Sequence, residues 1–313
     1  MFDPPRILVT GGTGIIGQAL VRKLVREGKS VRIISRNAKL AQHEKISIFR
    51  GDLTRLGDVR AAIQGCTAVF HCAAEKSDLR KMKDTNVTAT RLLFDAAIDS
   101  GVKSFCHFSS AGIIGKTQQR VVDESSLCSP MNFYEETKLA AEQIVKRGLN
   151  GGNVVILRPT NIFGVQTLLP WLENSIYSKM RLSLIGNERA HLVYVEDVVA
   201  AAIFLWLAES GEGVETFNVS SDEEPGGTHR DVQTLFASTV KIASRQFAFS
   251  APLFIPYCLR LMRNGVANHG NVIYSSRKLR AAGFRLPFGL QAGLIHAAGI
   301  LRERTEDWSA AVR

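Results

Sequence analysis

Short runs of β-branched and aromatic residues recur through the first half of this 313-residue chain. Longer segments with apolar residues at helical spacing lie between most of them, so each strand is predicted to lead into a crossover helix. Strands joined in this way lie parallel, and their unbroken apolar character indicates a sheet that is covered on both faces. The pattern predicts strands at 7–9, 31–35, 46–49, 68–71, 104–109 and 154–158, with helices at 15–27, 56–63, 84–99 and 133–147.

The alternation stops after Arg158, and one further regular unit follows, with a strand at 192–195, a helix at 196–207 and a strand at 216–219. We therefore predict an α/β fold, a doubly wound parallel sheet of the Rossmann type with a smaller, partly discontinuous C-terminal lobe. The predicted boundaries are 1–158 plus about 191–220 for the Rossmann domain, and 159–190 plus 221–313 for the lobe.

Four glycines occur in TGGTGIIG (10–17), between the first predicted strand and the first predicted helix. Gly11, Gly14 and Gly17 have the spacing GxxGxxG, which lets the backbone approach a pyrophosphate at the positive end of the helix. A tight turn with nothing bound is the alternative explanation of this motif. The predicted phosphate loop comprises Gly11, Thr13, Gly14, Ile15, Ile16 and Gly17.

Ser35 and Arg36 end the second predicted strand, where an acidic residue would bind the ribose hydroxyls of NAD. A hydroxyl and a guanidinium suit a 2′-phosphate instead, so the sequence favours NADP over NAD. Arg36 is alternatively a solvated loop residue, or it stacks on adenine, and neither alternative excludes NAD. Asp52, followed by Leu53, is expected to accept a hydrogen bond from adenine or to cap the next helix.

Ala73 and Ala74 end the fourth strand and leave space for a cofactor, whereas His71 is interpreted as a packed strand-end histidine. Tyr134 and Lys138 are four residues apart on one predicted helix, so their side chains share a face. An ammonium beside a phenol lowers the pKa of the phenol, which then acts as a general acid or base near neutrality. A chance surface pair has the same spacing.

The segment Phe108-Ser-Ser-Ala-Gly112 closes the fifth strand at the carboxyl edge of the sheet, where open α/β folds bind ligands. A serine in this position donates a hydrogen bond to a substrate oxygen and stabilises developing charge on it. An ordinary turn is the alternative. The glycine loop, the serine turn and the Tyr/Lys helix follow one another in the chain order that a shared crevice requires.

In order along the chain, these motifs resemble the extended short-chain dehydrogenases/reductases, the NAD-dependent epimerase/dehydratase superfamily. The resemblance rests on TGGTGIIG (10–17), GDL (51–53), HCAA (71–74), NV (86–87), FSSAGIIG (108–115), YEETK (134–138), LRPTNIFG (157–164), VYVEDVVAA (193–201), FNVSS (217–221) and YSSRKLRAAGF (274–284).

The resemblance implies that Ser110 is the catalytic serine, with Ser109 as neighbour or substitute. It implies that Tyr134 takes the proton of a secondary alcohol as hydride leaves its carbon for the nicotinamide, and that Lys138 partners Tyr134 and holds the nicotinamide ribose. Further implied cofactor contacts are Asn86, Ser109, Tyr134, Lys138 and Pro159, and Asn161 is implied to line the clefts with Asn86 and Pro159.

The same resemblance narrows the reaction. Dehydratases of sugar nucleotides usually carry Asp-Glu after the serine turn and decarboxylases carry Glu, whereas this chain has Ala111-Gly112, so alcohol–ketone interconversion remains. Sugar-nucleotide enzymes often bind the diphosphate through an arginine in the pattern GxGxxRDF. Ala190 stands at that position and Arg189 precedes it, which puts this contact in doubt.

The predicted activity is that of an NAD(P)-dependent epimerase or ketoreductase of a nucleotide sugar. The runner-up is a reductase or dehydrogenase of a hydroxysteroid- or dihydroflavonol-like alcohol. The apolar segment 251–256 either lines a pocket for such an alcohol or belongs to the core of the lobe, which we favour. A third alternative is a non-catalytic NAD(P)-sensing protein, against which the intact Ser/Tyr/Lys set argues.

The net charge of +10 is spread along the chain without a Lys/Arg block, so nucleic-acid binding is not expected, whereas an anionic small substrate is compatible with it. We predict a cytoplasmic protein, because the sequence has no secretory signal and no apolar run long enough to span a membrane. The five cysteines have no metal-binding spacing and are expected to be reduced, so no metal site is predicted. The family implies a homodimer through the helices at 84–99 and 133–147.

Overall fold

The computed structural model describes residues 6–36, 43–172, 176–208, 211–242, 251–264 and 271–311. The strands are β1 (Arg6–Thr10), β2 (Val31–Ser35), β3 (Ile46–Arg50), β4 (Cys66–His71), β5 (Ser104–Phe108), β6 (Val121–Val122), β7 (Asn153–Pro159), β8 (Asn161–Phe163), β9 (Leu192–Tyr194), β10 (Gly213–Val219) and β11 (Ile273–Tyr274). The helices are α1 (Ile15–Arg26), α2 (Leu56–Ile63), α3 (Leu79–Lys83), α4 (Ala89–Asp99), α5 (Phe133–Val145), α6 (Val165–Leu168), α7 (Ile176–Ile185), α8 (Val195–Leu207), α9 (His229–Thr239), α10 (Phe254–Asn264), α11 (Arg277–Ala281) and α12 (Gly289–Ala311).

Seven strands form one sheet, in the order β3-β2-β1-β4-β5-β7-β10. The pairings from β3 to β7 are parallel, and Thr10 at the end of β1 lies opposite Ile34 on one side and His71 on the other. The strand order changes direction at β1, because β2 and β3 are added on one side of it and β4, β5 and β7 on the other. Ligands of open α/β sheets bind in the crevice at such a point. The predicted doubly wound parallel sheet of the Rossmann type is confirmed.

Aromatic side chains cover both faces of this sheet. On one face, Phe105 of β5 meets Phe94 of α4 edge to face, with 5.0 Å between the ring centroids. On the other face, Phe70 of β4 packs edge-on against Trp206 of α8 at 5.8 Å. Phe70, Phe94 and Phe105 are almost completely buried, and each such side chain contributes about 2–3 kcal/mol through the hydrophobic effect. Burial on both faces explains why these strands lack polar alternation.

The helix predicted at 84–99 differs most from the structure. Helical residues begin at Leu79, where the carboxylate of Asp78 accepts a hydrogen bond from the backbone N–H of Arg80 and caps α3. A π-helical turn, Asp84–Thr88, follows before α4, and the N–H of Ala89 bonds to the carbonyl of Asp84 five residues back. Two shorter 3₁₀ turns occupy Ala111–Ile114 and Leu169–Leu172.

By packing, the chain divides into two units. The first comprises Met1–Ile113, Pro130–Pro159 and Val198–Phe217, and the second comprises Ile114–Ser129, Thr160–Asp197 and Asn218–Arg313. Residues 114–129, 191–197 and 218–220 thus group with the second unit, whereas the sequence placed them in the Rossmann domain. These residues group with the second unit partly because β6 pairs with β11 and β9 pairs with β8. The two short parallel ladders were not predicted from the sequence.

None of the helices in the described ranges combines the length and apolarity needed to cross a bilayer. Across the same ranges, no group of His, Cys, Asp and Glu side chains is arranged to hold a metal ion. All five cysteines are free thiols; Cys66 and Cys106 are buried, as expected for thiols in apolar strands, whereas Cys258 is exposed. The segment 251–256 is core only in part, because Ala251 and Pro256 are buried while Phe254 is 64% exposed.

Candidate active site

The glycine loop connects β1 to α1 by a turn in which Gly11 and Gly17 have no room for a side chain. Gly11 has φ +64°, and a Cβ there would lie 2.6 Å from the backbone nitrogen of Ala73. A Cβ on Gly17 would overlap the carbonyl oxygen of Gly11, which accepts a hydrogen bond from the N–H of Gly14. Gly14 is the N-cap of α1, and the first turn of this helix carries no acidic residue. The positive helix end is therefore compatible with an anion.

A cleft of about 420 Å³ lies over this loop, within the first unit. Nine of the seventeen predicted cofactor residues line it, namely Gly11, Thr13, Gly14, Ser35, Arg36, Asp52, Leu53, Ala73 and Ala74. Its size is typical of a small-molecule site. A loop with no room for a Cβ at Gly11 or Gly17, next to a positive helix end, fits the pyrophosphate of a dinucleotide.

Several lining residues were not predicted. Gly12, Gly51 and Cys72 neighbour predicted residues, and adjacency alone would have found them. Lys81 and Asp84 were missed because they lie on α3 and the π-helical turn, ahead of or at the start of the helix predicted from residue 84. The remaining unpredicted lining residues are Ile34, Thr54, Glu75, Thr85 and Ala89.

The Arg36 end of the cleft carries one positive and one negative group. Arg36 is exposed at the end of β2, and Asp52 follows β3. The carboxylate of Asp52 accepts hydrogen bonds from the N–H and the hydroxyl of Thr54, at 2.9 and 2.8 Å. These bonds, with smaller effects of Arg36 and Arg55, hold the pKa of Asp52 below its ordinary value. Asp52 therefore closes a local turn and does not cap α2, whose N-cap is Arg55.

Ser110 lies beside the first turn of α5. Its Oγ accepts a hydrogen bond from the N–H of Gly112 at 3.1 Å. A Cβ on Gly112 would lie 3.2 Å from Ser110 Oγ and 3.5 Å from Glu135 Oε1, so the serine turn packs against the residue that follows Tyr134. The start of α5 is fixed by Asn132, whose side chain accepts a hydrogen bond from the N–H of Glu135 at 3.0 Å. The structure thus brings Ser110 and the Tyr134 turn together.

Ser109 has a different environment from Ser110. It is 5% exposed, and its hydroxyl donates to the carboxylate of Glu142 at 2.9 Å. Ser109 is therefore engaged in a buried contact and does not substitute for Ser110.

Lys138 is 2% exposed, and its Nζ donates to the carbonyl oxygen of Phe108 at 2.5 Å. Burial lowers the pKa of Lys138 from 10.5 to about 8, against opposing effects of Cys72 and Glu142. Burial and the charge of Glu135 raise the pKa of Tyr134. The predicted lowering of the Tyr134 pKa by Lys138 is therefore wrong for this structure, because the ammonium is bound to a backbone carbonyl and both groups are withdrawn from water.

A buried chain of hydrogen bonds runs beneath these residues. Nδ1 and Nε2 of His71 lie 2.7 Å from Thr10 Oγ1 and 2.8 Å from Thr90 Oγ1. The hydroxyl of Thr90 donates to the carbonyl of Asn86, so it accepts from His71, which places the ring proton on Nε2. Burial and the nearby Lys138 lower the pKa of His71 to about 3, so the ring is neutral. The interpretation of His71 as a packed histidine fits these contacts.

Asn86 connects this chain of bonds to α5. Its Oδ1 accepts from the N–H of Glu75 at 2.7 Å, and its Nδ2 donates to the hydroxyl of Thr137 at 3.0 Å. Asn86 is 2% exposed and does not line the cleft, so it supports the lining residues through hydrogen bonds.

Seven other predicted cofactor residues also do not line the cleft, namely Ile15, Ile16, Gly17, Ser109, Tyr134, Lys138 and Pro159.

The second unit holds Arg189 and Ala190, which stand just before and at the arginine of the pattern GxGxxRDF. Arg189 Nη1 donates to the carbonyl oxygen of Asp222 at 2.6 Å, and Ala190 is 4% exposed. Asn161, implied as a cleft residue, donates its side-chain amide to the carbonyl of Ala190 at 3.0 Å.

Two relatives of known name are similar to this chain. A sterol demethylase protein B of Methylococcus capsulatus is 34% identical over 191 residues, 58% of this chain and 55% of that protein. A 3-beta-hydroxysteroid dehydrogenase of Mycolicibacterium neoaurum is 32% identical over 217 residues, 63% of this chain and 59% of that protein. The chain thus matches somewhat more than half the length of these relatives.

The fold is shared with MoeE5, solved in complex with UDP-glucose and NAD, at a TM-score of 0.73 and 22% identity, covering 96% of this chain and 99% of that one. The model of the NAD dependent epimerase/dehydratase family matches residues 7–220. The family match confirms the predicted family, and the likeness to MoeE5 confirms the predicted Rossmann fold. The chain belongs to the NAD dependent epimerase/dehydratase family.

Proposed function

We propose that this protein is an NAD(P)-dependent dehydrogenase or reductase that interconverts a secondary alcohol and a ketone, with Ser110, Tyr134 and Lys138 as its catalytic residues. The proximity of the Ser110 turn to the first turn of α5 supports this assignment. A protein that only senses the dinucleotide has no need of these three residues together.

The cleft over the glycine loop is the proposed dinucleotide site. When bound there, NAD(P) supplies a hydride donor or acceptor. The loop and the N-terminus of α1 would hold the pyrophosphate, and Ser35 and Arg36 would hold the adenosine ribose. NADP is the proposed preference, because Arg36 is exposed at the cleft and the end of β2 carries no acid. The negative charge of Asp52 interacts with Arg36 and would repel a 2′-phosphate, so it opposes this preference in part.

Each proposed catalytic group has one task. The Ser110 oxygen accepts from Gly112, so its hydroxyl proton remains to be donated to a substrate oxygen. Tyr134 exchanges the alcohol proton as general acid or base. With a pKa of about 8, Lys138 is mostly charged at neutral pH, and its ammonium favours the phenolate once it leaves the Phe108 carbonyl.

We propose a hydrophobic alcohol of the hydroxysteroid kind as substrate. The observation that carries this choice is the hydrogen bond from Arg189 to the carbonyl of Asp222, with Ala190 buried beside it. Ala190 has no guanidinium, and Nη1 of Arg189 is already bound within the protein, so the site is less suited to a sugar-nucleotide diphosphate. The names of the relatives, a sterol demethylase component and a hydroxysteroid dehydrogenase, support the same class.

A nucleotide sugar, converted by a 4-epimerase or ketoreductase, is the second candidate. The net charge of +10 favours it, since a positive surface attracts an anionic diphosphate.

The homodimer through α4 and α5 and the cytoplasmic location remain predictions. Light scattering after size exclusion tests the homodimer.

The test is a thermal-shift panel in which hydroxysteroids, dihydroflavonols and uridine or thymidine diphosphate sugars are each added with saturating NAD(H) or NADP(H). A ligand at 100 times its Kd stabilises the folded state by about 2.7 kcal/mol, which shifts the melting temperature by a few degrees for a chain of this size. We expect a sterol to give the largest shift and then to support oxidation, followed at the nicotinamide absorbance. A shift with sugar nucleotides alone would establish the second candidate instead.

A further inference from the structure

Glu142 is a fully buried carboxylate on α5, one helical turn beyond Lys138. One oxygen accepts from Ser109 Oγ at 2.9 Å and from Arg158 Nε at 3.0 Å. The other accepts from Arg158 Nη2 at 2.5 Å and lies 2.9 Å from Lys146 Nζ. Burial alone would raise the pKa of Glu142, but its bonds to Arg158 and Lys146 hold it below the ordinary value, so the group is an anion.

The partners of Glu142 come from the ends of two strands. Ser109 follows β5 and immediately precedes Ser110, whereas Arg158 lies in β7 and precedes Pro159. Arg158 is itself 2% exposed, so this ion pair is withdrawn from water. A single carboxylate therefore ties the serine turn and the end of β7 to the helix that carries Tyr134 and Lys138.

Glu142 also acts on the charge of Lys138, because residues four apart on a helix are neighbours. The groups that face the Lys138 ammonium are Cys72 and His71 from β4 and its end, His107 from β5, and Glu142 from α5. Both histidines are neutral, since burial and Lys138 lower their pKa values, and burial raises the pKa of the Cys72 thiol. Glu142 is thus the anion in this set at neutral pH.

We propose that Glu142 is a positioning residue of the active site, which holds the Ser110 turn on α5. Its negative charge keeps Lys138 protonated and so sets the pH range in which the site binds a dinucleotide. The proposal rests on the proposed dinucleotide site and not on the choice of substrate. A residue with only a structural role would change stability without changing that pH range.

The test compares Glu142→Gln, which keeps the shape and removes the charge, with the unmodified protein. Glu136→Gln is the matched control, because Glu136 is an exposed glutamate on the same helix. Dissociation constants for NADPH, and separately NADH, are measured by calorimetry from pH 6 to pH 10. The unmodified protein is expected to lose affinity above about pH 8, as Lys138 loses its proton.

Glu142→Gln is expected to move this loss to lower pH by about one unit or more, since neighbouring charges at this spacing shift a pKa on that order. Glu136→Gln should leave the midpoint in place, and Glu142→Asp, which retains the charge, should restore most of it. A midpoint that does not move in Glu142→Gln overturns the proposal, as does a uniform loss of affinity at every pH.

Glu142→Gln leaves the Arg158 guanidinium without its carboxylate, so this variant is liable to unfold. In that case Arg158→Lys, which keeps a cation beside the carboxylate, is compared with Glu142→Gln/Arg158→Lys, and the same downward shift is expected. If neither dinucleotide binds the unmodified protein at any pH, the proposed function fails. If one binds and the midpoint does not move, this inference alone fails.

Discussion

Replacing Lys138 with methionine tests the buried ammonium directly. The side chain is 2% exposed, and burial lowers its pKa from 10.5 to about 8 in the folded protein. Methionine has nearly the same length and carries no charge. Lys138→Met therefore removes the titrating group while the packing changes little.

The sign follows from proton linkage. Between pH 8 and pH 10.5 the unfolded chain holds the Lys138 proton and the folded chain has released it, so the stability of the unmodified protein rises with pH. Below pH 8 both states are protonated, and the penalty for burying the charge is fully present. One pKa unit corresponds to about 1.4 kcal/mol, so the lowered pKa amounts to about 3 kcal/mol across this window. Lys138→Met lacks this gain.

The assay is urea unfolding of both proteins at several values from pH 7 to pH 11. Other groups titrate at alkaline pH, but they are common to both proteins and cancel in the difference. We expect the stability of the unmodified protein, relative to Lys138→Met, to rise by about 3 kcal/mol, with most of the change between pH 8 and pH 10.5. A difference that stays constant over this range would show that the pKa of Lys138 is not lowered and would refute the reasoning.

Three further changes test the cleft and the chemistry. Arg36→Ala should weaken NADPH binding about tenfold, because it removes one charge-assisted contact to phosphate, and should leave NADH binding within twofold. Calorimetry measures both affinities, and Arg26→Ala at an exposed arginine is the control. Equal NADPH and NADH affinities in the unmodified protein would contradict this prediction. Tyr134→Phe should slow single-turnover hydride transfer by about 10²–10⁴-fold at unchanged cofactor affinity, and near-normal transfer would remove Tyr134 from the mechanism. Gly17→Ala should abolish dinucleotide binding and lower the melting temperature, because its Cβ overlaps the Gly11 carbonyl. The control is Gly57→Ala in α2, which has no atom within 4 Å of the new Cβ and should stabilise the fold by about 0.5–1 kcal/mol. Dinucleotide binding retained in Gly17→Ala would refute the steric argument.

The βα alternation was predictable because each central strand is buried on both faces, which forces unbroken apolar runs such as Ala68–His71. The phosphate loop was predictable for a similar reason. Gly11 has a positive φ and a Cβ there would clash with Ala73, and a Cβ on Gly17 would clash with Gly11, so these two positions at fixed spacing exclude every side chain. In both cases a local sequence signal reflects a local steric demand.

Buried charges gave no such signal. On sequence alone, Glu142 is a glutamate in an ordinary amphipathic helix and Arg158 is the last polar residue of a strand. They are buried because they neutralise each other at 2.5 Å across 16 residues of chain, which is a tertiary contact. The pKa of Tyr134 was mispredicted for the same reason. Helical spacing placed Lys138 beside it, but the hydrogen bond to the Phe108 carbonyl decides where the ammonium points.

The π-helical turn at Asp84–Thr88 makes the number of residues in this segment matter as much as their identity. Its wide turn accommodates one extra residue, so that Asp84 and Thr85 reach the cleft while Asn86 and Thr90 reach the buried hydrogen bonds. Deleting one residue here would return the segment to regular α-helix while the turns on either side keep their orientation, because the wide turn already takes up the extra residue. A relative shorter by one residue would therefore keep the side chains on either side in place, and an alignment without a gap here would pair residues of different orientation on one side of the turn.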